Sequence, residues 1–528
     1  MDIQNTVDKK VHPYLIAFTV MLPTFMVLMD TSIVSVALRY IAGPLSVTAD
    51  DAAWTLTVYL AANAIALPLT GFLSQKFGRK NFFLFNTIVF TISSFLCGIA
   101  PNLDLLLLFR TIQGFSGGAL QPLSQAILME SFPIEQRTKA MTIFAVGVIF
   151  APILGPLLGG YIVNNYSWRW MFLINVPFGL IATIMILMFV FDPSYAKAKR
   201  ALKIDYVALS FLVIGLGSLQ VMLDRGQEYN WFNSNFIIVL GLLSFFFISV
   251  FLIRTFFSKT PFIRLKLLRD RNYASAAIAM FFLGFLFFVT VALLPNFVQT
   301  FLGYDAYTAG LIMMPGGIAS LIVLLFLNRL SHKVSPKISI SFGALIIFYS
   351  LYLMQQLNLT ASPYFVTLGR IMIGFGLPFV FIPINVVAFN FLKKEDFNEA
   401  SSVINFTRNI GGSFGISFMI DTLIQRRYAF HRDALVSHIN PANPIFNSMF
   451  EKMRHFLVAK GGLSFVNSYH AAIALANKTL DGQSLIIAYQ DAFHVMMWSS
   501  LIFLPIVLFI KSVKKSKGGP SEPTIVEM

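Results

Sequence analysis

Apolar runs of about twenty residues recur along almost the whole chain, and this feature constrains its fold more than any other. Each run is long enough to cross a hydrocarbon core about 30 Å thick as a helix. Of the 528 residues, 57% are hydrophobic and only 12% are charged, whereas a soluble domain has about 25% charged residues. The chain is therefore predicted to be an all-α integral membrane protein.

The runs predict fourteen membrane-spanning helices. The first run carries Asp30 and is too long for the apolar core of a signal peptide, so we interpret it as a retained span. An even number of spans places both ends of the chain on one side of the membrane. The approximate bounds are 14–38, 53–74, 82–100, 104–129, 140–162, 170–191, 205–223, 235–256, 273–298, 307–328, 337–354, 364–391, 401–423 and 491–510.

The basic residues are divided unevenly between alternate loops. The chain has 39 Lys and Arg against 24 Asp and Glu, a formal net charge of +15. The short odd-numbered loops hold only Arg39, Arg169 and Arg225, which is the positive-inside pattern. It predicts cytoplasmic termini in a bacterial inner membrane. The basic balance then reflects topology and contact with anionic membrane lipids, and nucleic acid is not a predicted partner.

The two halves of the chain share a motif. Arg110-Thr-Ile-Gln-Gly114-Phe recurs as Arg370-Ile-Met-Ile-Gly374-Phe in the corresponding helix, although chance similarity of two glycine-rich helices would look the same. Repeated six-helix halves are typical of transporters. The repeat predicts a six-helix bundle over 1–200, an inserted helix pair over 201–260 and a second six-helix bundle over 261–528.

One long hydrophilic segment, about 425–490, lies outside the membrane in this topology. Its apolar residues follow a 3.6-residue period from Ile445 to Leu457, which predicts an amphipathic helix. Such a face packs either on the protein's own outer surface or on a partner. The sequence leaves both possibilities open.

The fifth span contains a stripe of small residues that recur every four positions. Stripes of this kind let two helix backbones approach closely. Two prolines in the same span remove backbone donors and predict a bend, which suits a moving seam between helices better than a static wall. Tight static packing is the alternative. The motif comprises Gly147, Ala151, Pro152, Gly155, Pro156, Gly159 and Gly160.

The loop between the second and third spans is short, basic and interrupted by glycine. Gly71 and Gly78 permit close helix approach and a tight reversal. Arg79 and Lys80 can bond the open carbonyls at a helix end or face lipid phosphate. Gln75 lies between the two glycines.

Two charged residues inside the predicted spans are candidates for proton coupling. Asp30 lies some 12 Å from the outer end of its span, at about 1.5 Å per residue. It should face a water-filled cavity or be neutral part of the time, because an unpaired carboxylate there is costly. Arg110, with Gln113 nearby, would lower the energy of a deprotonated carboxylate or move when that carboxylate is protonated.

The alternatives are an aspartate that caps a helix near the membrane interface and an arginine that snorkels to that interface. Arg370 and Arg408 are analogous secondary candidates.

These motifs resemble those of a known family. The Gly147–Gly160 stripe resembles the antiporter motif of major facilitator drug exporters, and Gly71–Lys80 resembles the signature loop of that superfamily. The resemblance implies the major facilitator fold and proton-driven export of hydrophobic drugs, uncouplers or fatty acids by alternating access. Further stretches similar to its fourteen-helix drug:proton antiporters are Met29–Leu38, Trp168–Pro177, Gly217–Gly226 and Asn405–Arg408.

The sequence departs from the family pattern at two positions. Gln75 stands where the signature loop usually has an acidic residue, and Arg39 stands where the first-helix motif usually ends in proline. The first departure puts in doubt any gating mechanism built on an ion pair in that loop.

The resemblance also implies a partner, a periplasmic adaptor that leads to an outer-membrane channel. We predict that the apolar face within 425–490 docks it, through Phe446, Phe450 and Met453.

Cofactor chemistry and catalysis are not indicated. Cys97 is the single cysteine, the histidines are scattered and a phosphate-binding loop is absent from the sequence, so neither metal, cofactor nor ATP-driven transport is predicted. An enzyme is disfavoured because no nucleophile, base and orienting group are placed together. Two alternatives stay open on the same fold: an exporter or importer of one metabolite, such as a siderophore or organic acid, and a non-transporting receptor or scaffold.

Overall fold

The computed structural model describes residues 11–133, 136–192, 203–258, 261–301, 303–330, 334–358, 361–390, 392–440, 442–459, 461–462 and 464–510. These residues form helices and loops, with no strand among them. The α-helices are α1 (Pro13–Ala42), α2 (Ala49–Phe77), α3 (Arg79–Gly98), α4 (Leu103–Ser131), α5 (Arg137–Asn165), α6 (Trp170–Leu173), α7 (Asn175–Phe189), α8 (Tyr206–Arg225), α9 (Asn235–Phe257), α10 (Arg271–Phe301), α11 (Ala306–Leu330), α12 (Pro336–Met354), α13 (Pro363–Asn390), α14 (Phe397–Ile416), α15 (Gln425–Val436), α16 (Pro444–Ala459), α17 (Phe465–Ser500) and α18 (Phe503–Phe509).

Twelve candidate membrane spans are long and apolar enough to cross a bilayer within the described part of the chain. They correspond to all the predicted spans except the fourth and the thirteenth, which are α4 and α14. Those two helices lie inside the bundle and bury many polar side chains, which lowers their hydropathy. The structure is thus compatible with the major facilitator fold, and fourteen crossings remain a prediction.

The helices pack in two sets whose pairings correspond. In the first half α1 packs on α5 and α2 on α4, and in the second half α10 packs on α14 and α11 on α13. The repeated glycines lie at equivalent crossings, since a Cβ atom on Gly114 would stand 2.3 Å from the Tyr59 carbonyl oxygen and one on Gly374 would stand 1.9 Å from that of Gly316. Both positions require glycine because a backbone occupies the space.

The halves meet along two seams. One seam joins α5 to α11, and the other joins α2 and α4 to α14. The inserted helices α8 and α9 pack on each other, and α8 also packs on the outside of α2. Arg225 and Asp224 at the end of α8 bind the α2 residue Thr57, and the Arg225 guanidinium lies 4.6 Å from the centre of the Trp54 ring.

The last predicted span, 491–510, belongs to a longer helical segment. Helix α17 begins at Phe465 and continues to Ser500 before a short break separates it from α18. Its polar first half stays helical because it packs on α15, where Arg432 Nε donates to Asp481 Oδ1 at 2.8 Å and the Tyr428 hydroxyl donates to the same oxygen at 3.0 Å. The segment predicted as a hydrophilic insertion is therefore a helical projection of α15, α16 and the first part of α17.

The amphipathic helix predicted within that segment is confirmed as α16, Pro444–Ala459. The side chain of Asn443 caps it by accepting from the Ile445 N–H at 3.0 Å.

Candidate functional site

The centre of the first half contains a buried ion pair. Asp30, from the middle of α1, and Arg110, from α4, are both 0% exposed, and Arg110 Nη1 lies 2.6 Å from Asp30 Oδ2. The second carboxylate oxygen accepts from Gln113 Nε2 at 3.1 Å and from Asn175 Nδ2 at 3.0 Å. Three side chains from two helices thus donate hydrogen bonds to the carboxylate.

The guanidinium also bonds groups other than the carboxylate. Arg110 Nε donates to the Thr55 carbonyl oxygen at 3.2 Å, and Nη1 also donates to Gln113 Oε1 at 2.8 Å. The cation lies 4.1 Å from the centre of the Tyr59 ring and 5.5 Å from that of Phe172. This environment matches neither a snorkelling arginine nor an aspartate at a helix end, because both groups are buried against each other.

The predicted small-residue stripe of α5 packs against α1 and not against lipid. A Cβ atom on Gly155 would stand 2.4 Å from Ser32 Cβ, and one on Gly159 would stand 3.1 Å from the Ile33 carbonyl oxygen. Ala151, Pro152, Pro156 and Gly160 are buried in the same helix. Gly147 faces the end of the Met21 side chain. The seam between α1 and α5 therefore runs past Asp30, from Met21 to Ile33 of α1.

A proline of the stripe has a specific consequence for this seam. Pro156 lacks an N–H, so the carbonyl of Pro152 four residues earlier loses its helical partner. The Ser32 hydroxyl of α1 donates to that carbonyl at 2.7 Å. The backbone irregularity of α5 is thus satisfied from the neighbouring helix.

The predicted signature loop is a tight junction between α2 and α3. Gly78 has φ +86°, in the left-handed region that favours glycine. Arg79 forms ion pairs with Glu130 and, at 3.9 Å, with Asp192. Lys80 donates from its backbone N to Asp192 Oδ1 at 2.8 Å and from Nζ to the Leu187 carbonyl oxygen at 2.9 Å, at the end of α7. Burial raises the pKa of the Asp192 carboxyl, opposed by the Lys80 N–H and the two cations.

The unusual Gln75 joins the two halves. Its Nε2 donates to Glu399 Oε1 at 2.5 Å, in the first turn of α14. Glu399 Oε2 in turn lies 3.0 Å from Arg264 Nε. A Cβ atom on Gly71, one turn before Gln75, would stand 2.8 Å from Glu399 Cγ. An acidic residue at 75 would place two carboxylates together, so the neutral amide suits this contact.

A second polar contact between the halves centres on Gln125 of α4. Its Nε2 donates to Asn385 Oδ1 of α13 at 2.5 Å, and its Oε1 accepts from Ser401 Oγ at 2.7 Å and from Asn405 Nδ2. All four residues are buried. Together with the Gln75–Glu399 contact, these hydrogen bonds join the two halves from their middle to the end at the signature loop.

Sequence reasoning missed several of these residues. Asn175 belongs to a stretch that resembles a motif of the family, and it comes directly after a run of apolar residues. Gln125 is one of the few amides in its span. Both signals mark a buried polar group, but neither identifies its partner.

The secondary candidates differ from Arg110. Arg370 and Arg408 are 3% and 2% exposed, and Nε and Nη1 of each have no hydrogen-bond partner among the described residues. Neither arginine has an acidic partner within that part of the chain.

The three predicted docking residues of α16 face their own chain. Phe446, Phe450 and Met453 are only partly exposed, and the Phe450 ring lies 5.5 Å from that of Tyr469 on α17. Other apolar side chains of the helix point outward, namely Ile445, Met449 and Phe456.

An apolar cavity of about 270 Å³ opens beside the seam between α5 and α11. It lies between α11, α12 and α13 at the first turn of α5. Its lining includes Thr138, Leu327, Phe342, Phe379 and Pro383.

Comparisons with known proteins agree with this architecture. Residues 20–416 match the Major Facilitator Superfamily. The chain is 34% identical to the multidrug export protein EmrB of Escherichia coli K12 over 505 residues, which covers 94% of this chain and 95% of EmrB. It is also 34% identical to the fatty acid resistance protein FarB of Neisseria gonorrhoeae, over 94% of this chain and 96% of FarB.

Solved structures show the same fold at low sequence identity. A double tryptophan mutant of XylE superposes with a TM-score of 0.60 at 14% identity, covering 96% of this chain and 97% of that one. The human organic anion transporter MFSD10 superposes with a TM-score of 0.56 at 12% identity, covering 93% of this chain and all of that one.

Proposed function

The chain belongs to the EmrB-type multidrug exporters of the major facilitator superfamily, and from this premise we propose that its Asp30–Arg110 pair couples proton entry to export. The protein is a multi-pass membrane transporter that exports lipophilic compounds in exchange for protons. The observation that carries the assignment of the pair is its complete burial at the centre of one half. Those two residues can therefore exchange a proton only when the bundle rearranges.

Protonation of Asp30 would change the balance of charges in the first half. With the carboxylate neutral, the Arg110 guanidinium would stay buried without its counterion. Removing one partner of a buried ion pair costs about 3–5 kcal/mol. A free-energy change of about 5.5 kcal/mol takes a two-state equilibrium from 1:99 to 99:1. One protonation therefore supplies much of the free energy needed to switch the conformation.

The seam between α1 and α5 offers a route from this pair to the second half. Ser32 and Ile33 lie two and three residues after Asp30 and contact the glycines of α5. The other face of α5 contacts α11, where a Cβ atom on Gly310 would stand 3.0 Å from Leu157 Cα. We propose that a shift of α1 on protonation moves α5 and, through it, the second half.

The predicted topology indicates which side of the membrane is closed by the polar contacts between the halves. With the termini in the cytoplasm of a bacterial cell and the protein in the inner membrane, the signature loop is cytoplasmic. The Gln75 and Gln125 contacts then close the cytoplasmic side in the described conformation. Each proton moving inward across 100 mV contributes about 2.3 kcal/mol.

We also propose that the α15–α16 projection binds a periplasmic adaptor and, through it, an outer-membrane channel. Ile445 is 80% exposed, Phe456 56% and Met449 49%. The exposed apolar side chains of Ile445 and Met449 suit a protein partner better than water. The half-buried Phe446, Phe450 and Met453 would hold this helix in place for the partner.

Transport in proteoliposomes with an imposed pH gradient tests the coupling. Asp30→Asn keeps the shape of the side chain and one acceptor oxygen but cannot titrate, so we expect normal membrane insertion and loss of gradient-driven dye accumulation. Asp305→Asn, at an exposed loop carboxylate, is the matched control and should transport normally. Gradient-driven export by Asp30→Asn at parental rates would remove this pair from the coupling.

The same assay addresses the two rival functions. A substrate panel in which only one siderophore or organic acid moves would indicate a dedicated metabolite transporter. Absence of any substrate-linked proton movement would indicate a receptor or scaffold.

A further inference from the structure

The second half contains two buried arginines, Arg370 and Arg408, that have no acidic partner among the described residues. In the first half, Arg110 is neutralised by Asp30 on α1. Arg370 occupies the repeat position of Arg110, and the helix whose packing corresponds to that of α1 is α10. From Arg271 to Phe301, α10 contains no aspartate or glutamate. The repeat has thus kept the cation and lost the anion.

Arg408 is a second cation of this kind. It stands on the face of α14 that carries Ser401 and Asn405, at spacings of seven and three residues. Those two residues contact Gln125 of the opposite half, so this face of α14 is directed at the junction between the halves. Arg408 lies one turn beyond Asn405 and next to Asn409, whose Nδ2 donates to Asn63 Oδ1 of α2 at 3.1 Å.

Aromatic rings lie next to this cation. The Arg408 guanidinium is 5.9 Å from the centre of the Phe381 ring of α13, and Phe381 stacks on Phe144 of α5 at 6.2 Å. Arg370 is eleven residues from Phe381 on the same helix, which is about 16 Å along the axis at 1.5 Å per residue. The two arginines therefore lie at different depths of the second half.

Charged groups inside a membrane protein normally pair with each other or face a substrate path. An arginine cannot discharge in practice, so a second charge has to come from elsewhere. A carboxylate suits it best, because the guanidinium matches carboxylate geometry with paired N–H donors. The phenylalanines beside Arg408 would accommodate an apolar tail.

We propose that Arg370 and Arg408 bind the negatively charged group of a lipophilic acid at two successive depths of the transport path. The proposal rests on the proposed export function and specifies the residues that select one class of its substrates. Neutral lipophilic compounds would use the apolar surface alone and would be indifferent to both arginines.

The test measures binding of palmitate at pH 8 to the purified full-length protein in phosphatidylcholine nanodiscs. Methyl palmitate has the same chain without the charge and serves as the ligand control. We expect Arg370→Gln and Arg408→Gln each to lower palmitate affinity at least tenfold and to change methyl palmitate affinity less than twofold. Arg408→Lys should recover most of the palmitate affinity. Arg254→Gln, at an exposed arginine paired with Asp205, is the matched control.

Thermal stability separates ligand binding from a structural role. Replacing an unpaired buried charge by a neutral amide should raise the Tm of the palmitate-free protein, whereas loss of a structural arginine should lower it. Palmitate should raise the Tm of the parent protein but not that of either glutamine variant. Unchanged palmitate affinity in both variants, or a lower Tm with the palmitate shift retained, would overturn the proposal.

Two further outcomes are distinguishable. An Arg408-dependent Tm shift caused by phosphatidylglycerol nanodiscs, with none from palmitate, would assign the anion to a lipid headgroup and reject a lipophilic acid. Loss of palmitate binding in both variants upholds this inference even if proteoliposomes fail to transport. Proton-driven dye export with arginine-independent palmitate binding would reject the inference and leave the proposed function intact.

Discussion

Replacing Gln75 by glutamate should open the signature-loop end of the protein. The new carboxylate would face Glu399, whose oxygen now accepts a hydrogen bond from Gln75 at 2.5 Å. Two unit charges about 4 Å apart repel by about 4 kcal/mol at an effective dielectric constant of 20. The lost hydrogen bond to a charged group adds about 1.5–3 kcal/mol.

Part of this repulsion will be relieved. Arg264 lies 3.0 Å from Glu399 and is 42% exposed, so both the cation and solvent screen the new charge. We expect a net shift of about 2–4 kcal/mol against the closed end, which is about 30-fold to 1,000-fold in the equilibrium at 1.4 kcal/mol per decade. Low pH should reverse the shift, because the two carboxylates can then share a proton.

Distances between spin labels on Phe77→Cys and Lys394→Cys measure this opening directly. Phe77 and Lys394 are exposed on opposite halves, and Cys97 is the only native cysteine. In a Cys97→Ala background, Gln75→Glu should populate longer distances, and Glu399→Gln should restore the parental distribution. Gln75→Ala loses only the hydrogen bond and should have a smaller effect. A parental distribution in Gln75→Glu at pH 8 would refute the argument.

Three other predictions concern contacts within or outside the bundle. Gly155→Leu should stop turnover without preventing insertion, since its Cβ would stand 2.4 Å from Ser32 Cβ; Val146→Leu, at an exposed position of the same helix, is the control, and parental transport rates would contradict the packing. Ser32→Ala should cost about 1–3 kcal/mol of stability, measured as a lower Tm, because the Pro152 carbonyl loses its donor; an unchanged Tm would show that water replaces the hydroxyl. Serine at the three outward positions of α16, Ile445, Met449 and Phe456, should weaken adaptor pull-down and leave proteoliposome transport unchanged. Impaired transport in vesicles with normal pull-down would instead assign this face to the transporter's own outer gate.

Much of the helical framework could be predicted because apolar length is a local property. The polar helices α4 and α14 were also found, although their hydropathy falls below that of the other spans. The start of α17 was not found, because the polar residues that suggested a loop are those that pack on α15. Local composition cannot distinguish a solvated loop from a helix stabilised by a distant partner.

The candidate site shows the same division. Asp30 and Arg110 could be selected separately, since a charge inside an apolar run is conspicuous. Their pairing across 80 positions could not be read from the sequence, and neither could the Gln75 contact with Glu399, 324 positions away. Such contacts depend on how helices cross, which the repeat indicates only in outline.

Because of the attachment of α8, the two seams between the halves differ in how far they are covered on the side of the bilayer. Asp224 and Arg225 fix α8 to α2, and Gln220 of α8 donates to Ser413 Oγ of α14 at 3.0 Å. The inserted pair of helices, α8 and α9, therefore covers the junction of α2 with α14. In the described part of the chain, no inserted helix covers the junction of α5 with α11, and the apolar cavity at Thr138 opens beside it. A compound dissolved in the lipid should therefore reach the junction of α5 with α11 more easily than the junction of α2 with α14.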